Sequence, residues 1–238
     1  MSKTISPMIL ERHVEIPAGY RRLGGILRVP KLALGVVVFA HGSGSGRFSP
    51  RNQFVARILE EAGMATLLLD LLEEDEADDR EMVFKIELLA NRLQCAADWL
   101  GQQTETRDLR LGYYGASTGA AAALLAAAQK PKNVGAVVCR GGRPDLAMDS
   151  LEYVLAPTLL IVGGDDKVVL ELNEHALRWL RCEKHLAIVP GATHLFEEPG
   201  TLEEVARMAQ EWFSAHISEP NEAIRPISSH HRASSRLH

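Results

Sequence analysis

Hydrophobic positions along this chain fall into short runs separated by longer, half-polar stretches. Six runs stand out, at residues 35–40, 65–71, 109–114, 135–139, 158–162 and 186–189. Most are apolar nearly throughout and rich in β-branched residues, as strands buried on both faces of a parallel sheet must be. Between them lie helical candidates at 52–62, 80–101, 118–129, 169–181 and 201–215. Strand, helix and strand repeated in this way imply right-handed crossovers. The pattern therefore predicts an α/β fold, a mostly parallel central sheet with helices on both faces. Ahead of it, residues 9–16 and 23–29 read as an antiparallel pair turned at Gly19, which places them on one sheet edge.

Two stretches fall outside the rhythm. Residues 73–79 form an acidic run after the second parallel strand, expected to be a solvated loop that follows a strand end and could border a site. Residues 218–238 lack apolar periodicity and are rich in Ser, Arg and His, so they read as a disordered or loosely docked tail. The paired His230 and His231 in it are weak grounds for a metal site. The expected organisation is a single domain over 1–217 followed by that tail, with no internal repeat.

Composition narrows the classes of function. At 238 residues, with 46% hydrophobic and 24% charged, the chain suits one α/β domain with a sizeable core. The net charge of −5 and the absence of a basic stripe argue against a nucleic-acid partner. No stretch approaches the roughly 20 apolar residues that span a bilayer. Residues 1–7 lack the apolar core of a secretory signal, so the cytoplasm is the expected location. Cys95, Cys139 and Cys182 are scattered and odd in number, which suggests neither a disulfide framework nor a metal site. Cys139, inside an apolar run, reads as a small buried residue. No cofactor is called for, and the oligomeric state stays open.

The chemistry begins at Gly115-Ala116-Ser117-Thr118-Gly119, directly after a strand and directly before a helix. A nucleophile elbow needs that setting, because a tight, strained turn holds the serine above the sheet edge and only glycines avoid collision beside it. The following Ala120-Ala121-Ala122-Ala123 lets the helix lie close against the sheet. Downstream, Gly163-Gly164-Asp165-Asp166 closes a strand with two candidate acids, of which Asp166 is preferred because a short apolar helix entry follows it. Asp165 would then be a turn-forming or capping residue. Gly191-Ala192-Thr193-His194 follows the last strand and offers the base; His175, His185 and His216 sit within or at the ends of predicted elements. In this reading His194 takes the proton of Ser117 and Asp166 orients the imidazole. The glycine-rich loop His41-Gly42-Ser43-Gly44-Ser45-Gly46 would donate one backbone N–H to an oxyanion, from Ser43 or alternatively Gly44, and Thr118 the other. That loop lacks Gly-Lys-Ser/Thr and the spacing of a dinucleotide loop, which disfavours a nucleotide.

Together these four motifs resemble the α/β-hydrolase superfamily, particularly its dienelactone hydrolase-like branch, over roughly residues 9–218. The resemblance implies the α/β-hydrolase fold, without a large cap domain because residues 139–157 leave no room for one. Dienelactone hydrolases proper carry a cysteine nucleophile, and here that position is Ser117, so the resemblance implies a serine esterase. The expected function is hydrolysis of small or medium carboxylic esters through an acyl-serine. Thioesterase, lactonase, peptidase and acyltransferase chemistry remain open within enzymes, and a catalytically idle binding or regulatory module remains open outside them. Arg47, Arg51, Arg140 and Arg143 fall at the sheet edge where this fold binds ligands. One or more of them is expected to hold an anionic group of a substrate; the alternative is pairing with local acids such as Asp145.

Overall fold

A computed structural model describes residues 9–79 and 81–218. Its sheet contains β1 (Ile9–Ala18), β2 (Arg21–Pro30), β3 (Gly35–Ala40), β4 (Met64–Leu69), β5 (Leu111–Ala116), β6 (Val134–Arg140), β7 (Thr158–Gly163) and β8 (Lys184–Val189). The spatial order is β1-β2-β4-β3-β5-β6-β7-β8. β1 and β2 form the expected antiparallel edge pair, β2 runs antiparallel to β4, and the other neighbours are parallel.

Every residue of β3, β4, β5, β6 and β7 is buried, which is why their hydrophobicity runs unbroken instead of alternating. β8, with one edge uncovered, leaves Lys184, His185 and Ile188 exposed. The sheet separates two cores. On one face Leu23, Leu71, Leu89, Leu93 and Leu124 pack with α3 (Ile86–Leu100) and α4 (Thr118–Gln129). On the other, Val37, Phe39, Val55, Leu59, Tyr114 and Phe213 pack with α1 (Pro50–Glu61) and α6 (Thr201–Ile217). α4 has almost no polar face, and its alanines allow it to lie between β5, α3 and a 3-10 segment over Pro144–Tyr153.

Two expectations need correction. The helix predicted over 80–101 breaks at Lys85, whose ψ of 70° is not helical; a 3-10 turn at Met82–Phe84 precedes it and α3 begins at Ile86. The acidic run is not simply a solvated loop. It forms a short helix, α2 (Glu74–Ala77), in which Glu73 and Glu76 cap each other's backbone. Glu76 is buried and accepts from both terminal nitrogens of Arg92 at 2.6 and 2.7 Å, while Arg92 also donates to the Leu71 carbonyl. A buried guanidinium must be paired, and that need folds the acidic segment back onto α3. The predicted tail, with His230 and His231, lies beyond residue 218, outside the described residues. Among the described residues no helix is long and apolar enough to cross a membrane. Cys139 is fully buried, and burial pushes its thiol well above the ordinary range.

Candidate active site

Ser117 sits between β5 and α4 with φ 51° and ψ −121°, a left-handed backbone that a non-glycine residue adopts only under strain. The turn is held from β6: Ser117 N–H donates to the Arg140 carbonyl at 3.2 Å, and Arg143 N–H to the Ser117 carbonyl at 3.1 Å. Two residues on, a Cβ at Gly119 would lie 2.2 Å from the Ala40 carbonyl oxygen. Only glycine lets the first turn of α4 approach the end of β3 so closely.

Asp166 follows β7 and caps α5 (Lys167–Trp179). Its Oδ2 lies 2.6 Å from His194 Nδ1, so that nitrogen is assigned as the protonated one and donates to the carboxylate. Asp165 is exposed, and its N–H donates to the Ala192 carbonyl. The acid that meets the histidine is thus Asp166. The His194 loop is closed by Thr193, whose hydroxyl donates to Glu198 at 2.6 Å and whose N–H reaches the same carboxylate. These bonds hold the Glu198 carboxyl below its usual range. Two close approaches link the strand-end loops, the β3 loop to Ser117 and the turn after β6 to His194. A Cβ on Gly42 would meet Ser117 Cβ at 2.8 Å, and one on Gly141 would meet the His194 ring at 3.4 Å. Ser117 and His194 therefore flank the same turn, 140–143.

The loop after β3 is braced by His41, a residue whose part sequence reasoning missed. His41 is buried, Nδ1 donates to the Gly42 carbonyl at 2.9 Å, and Nε2 accepts from Leu71 N–H at 2.8 Å. Burial holds its pKa below the ordinary histidine value, so the ring is neutral and ties the β3 loop to the end of β4. Its position next to Gly42, just past a strand, was the available signal. Ser43 lies in the turn with Gly44, whose φ is 65°, and Thr118 is the first residue of α4, where a backbone N–H has no intrahelical acceptor. Both line one cavity of about 690 Å³.

The arginines divide. Arg47 is paired with Asp70, and its N–H also donates to Asp70 Oδ1 at 2.6 Å. Arg143 makes two bonds to Asp145, at 2.8 and 2.7 Å, and Arg51 pairs with Glu197 at 3.2 Å. These three follow the alternative of pairing with local acids. Arg140 differs: it is 7% exposed, no ion pair to it is found among the described residues, and its buried Nε has no partner. Its guanidinium lies 5.7 Å over the Phe196 ring, on the α1 and α6 side of the sheet.

The sheet order and strand-end loops define an α/β hydrolase fold. The dienelactone hydrolase family model matches residues 23–218, and the chain belongs to that family. The crystal structure of a dienelactone hydrolase from Anabaena variabilis superposes with a TM-score of 0.86 at 52% identity, covering 89% of this chain and 99% of that one. Est1E from Butyrivibrio proteoclasticus shares the fold, with a TM-score of 0.74 at 17% identity over 85% of this chain and 98% of its own. A Mycobacterium tuberculosis protein named putative phosphoribosyl transferase is 56% identical over 214 residues, 90% of this chain but 48% of that protein. The chain thus spans about half the length of that curated relative.

Proposed function

We propose that this family member is a serine hydrolase of carboxylic esters, with Ser117 as nucleophile, His194 as general base and acid, and Asp166 as its orienting carboxylate. The observation that carries the reading is the strained Ser117 bonded to the turn 140–143, which His194, paired with Asp166, approaches from its other side. His194 Nε2 accepts the Ser117 proton as Oγ adds to the ester carbonyl, and Asp166 stabilises the resulting imidazolium. The backbone N–H groups of Ser43 and Thr118 receive the oxyanion. Collapse breaks the bond to the leaving oxygen, which takes the proton back from His194 and departs as an alcohol. Water, deprotonated by His194, then releases the acid and regenerates Ser117.

Two other readings are weaker. A binding module has no need of a backbone strain of about 1–3 kcal/mol at one serine. The transferase name belongs to a protein of which the match covers 48%. A phosphoribosyl donor is polyanionic, and two of the three arginines lining the cavity here already hold a carboxylate, Arg47 with Asp70 and Arg51 with Glu197. The test is hydrolysis of short p-nitrophenyl esters by the wild type and Ser117→Ala, with fluorophosphonate labelling of both. Activity and labelling that vanish together in the variant support the reading. Wild-type protein that neither turns over esters nor labels at Ser117 overturns it.

A further inference from the structure

We infer that the cavity beside Ser43 and Thr118 is an acyl pocket for an uncharged, largely apolar acyl group of medium length; this rests on the ester hydrolase reading above. Direction comes first. The leaving oxygen must face His194 to receive its proton, so the acyl group must point away from it. The cavity lies on that far side. Its walls are the 41–51 loop, the end of β4 with α2, and Thr118, the residue after Ser117, whereas none of Ser117, Asp166 and His194 lines it.

The lining then sets the chemistry. Leu23, Leu71, Leu72, Val83 and Leu89 are all buried and form its apolar floor. At about 690 Å³ the space exceeds what an acetyl group needs. Two of its arginines are engaged, Arg47 by Asp70 and Arg51 by Glu197, and the third, Arg22, is an exposed side chain 3.8 Å from Glu15. His41 is neutral. Arg140, the one arginine of the group without an ion pair among the described residues, packs on the opposite face of the sheet. A carboxylate on the acyl chain would therefore meet Glu73 and Glu74 with only the exposed Arg22, itself near Glu15, to balance it. The expectation of anionic substrates is replaced by one of neutral ones. The acidic helix has its use here: Arg21 grips Glu73 and Asp75, Arg92 grips Glu76, and Ala77 is thereby held over the cavity.

Each buried methylene adds roughly fourfold, so hexanoyl should exceed acetyl by on the order of 100-fold in kcat/KM. Ala77 is exposed and lines the cavity, so Ala77→Trp should fold and fill it. The experiment compares p-nitrophenyl acetate, hexanoate and hemiglutarate with wild type, Ala77→Trp and Val83→Ala. It also measures calorimetric binding of methyl hexanoate and methyl acetate to Ser117→Ala with and without Ala77→Trp. The expected result is preference for hexanoate over acetate and hemiglutarate, erased by Ala77→Trp because hexanoate turnover falls at least about tenfold more than acetate turnover. Val83→Ala should shift the optimum to a longer chain. Preference for hemiglutarate, or an equal loss of acetate and hexanoate turnover in Ala77→Trp, overturns the pocket. If no ester is turned over, the binding arm decides alone. Methyl hexanoate bound more tightly than methyl acetate, and displaced by Ala77→Trp, keeps the pocket while the hydrolase reading fails; no such difference removes it.

Discussion

The two sides of this site are built in different ways. On the side proposed as catalytic, Ser117, Asp166 and His194 each stand on a loop that follows a strand, and short loop-to-loop contacts set each of them. On the cavity side, the floor is assembled from β2, the end of β4, a 3-10 turn and α3, segments that meet only in the folded chain. The chemistry is specified by local backbone geometry, and the room for a substrate by tertiary packing. Substitutions on the first side should therefore change rate with little change in stability, and those on the second should change stability or selectivity.

The largest effect that would break this contrast lies in the two adjacent aspartates. Asp166→Asn should lower kcat on p-nitrophenyl esters by about 10⁴-fold, because the amide no longer holds the histidine in the required tautomer. Asp165→Asn should cost less than about tenfold, since only the Asp165 N–H is engaged, to Ala192. Comparable losses at the two positions would mean that Asp166 is not the orienting acid. Thermal unfolding of both variants should stay near that of the wild type.

On the cavity side the strongest prediction concerns stability. Arg92 and Glu76 have side chains 5% and 7% exposed, and removing one partner leaves the other charge buried. Arg92→Met should cost about 3–5 kcal/mol in urea unfolding, and adding Glu76→Leu should restore most of it. A loss below about 1 kcal/mol would show that α2 is held by something other than this pair.

The same division explains what was legible in the sequence. Central strands were visible because burial on both faces makes their apolar runs continuous, and the elbow was visible because Gly115 and Gly119 flank a serine between strand and helix. Asp166 and His194, proposed as acid and base, were singled out at strand ends by order alone, and the fold pairs them at 2.6 Å. What could not be read depends on partners distant in the chain. Nothing near Glu76 announces Arg92, sixteen residues on, and nothing near Arg47 announces that Asp70 will neutralise it. Four arginines at one sheet edge therefore suggested an anion site, whereas folding supplies three of them with acids.

His41 joins the two sides, and its titration should be felt by both. Burial is the main cause of its lowered pKa; the Gly42 carbonyl and nearby Asp70 oppose that shift without cancelling it. In the unfolded chain the ring titrates near 6.5. Below that pH the unfolded state takes a proton that the folded state refuses, so stability must fall as the pH drops from about 6.5 toward the folded value, by at most about 1.4 kcal/mol per unit. Above 6.5 both states are neutral and the residue contributes no slope. Urea unfolding at pH 7.5 and 5.5 should therefore show a larger acid loss for the wild type than for His41→Asn, whose side chain cannot titrate. Protonation also removes the acceptor for Leu71 N–H, which releases the β3 loop from β4. In the folded enzyme that protonation comes only below the window of the stability slope, and there ester hydrolysis should fall further in the wild type than in His41→Asn. Identical stability slopes in the two proteins would show that His41 charges in the folded state as readily as in the unfolded one, and the brace between oxyanion loop and cavity would lose its basis.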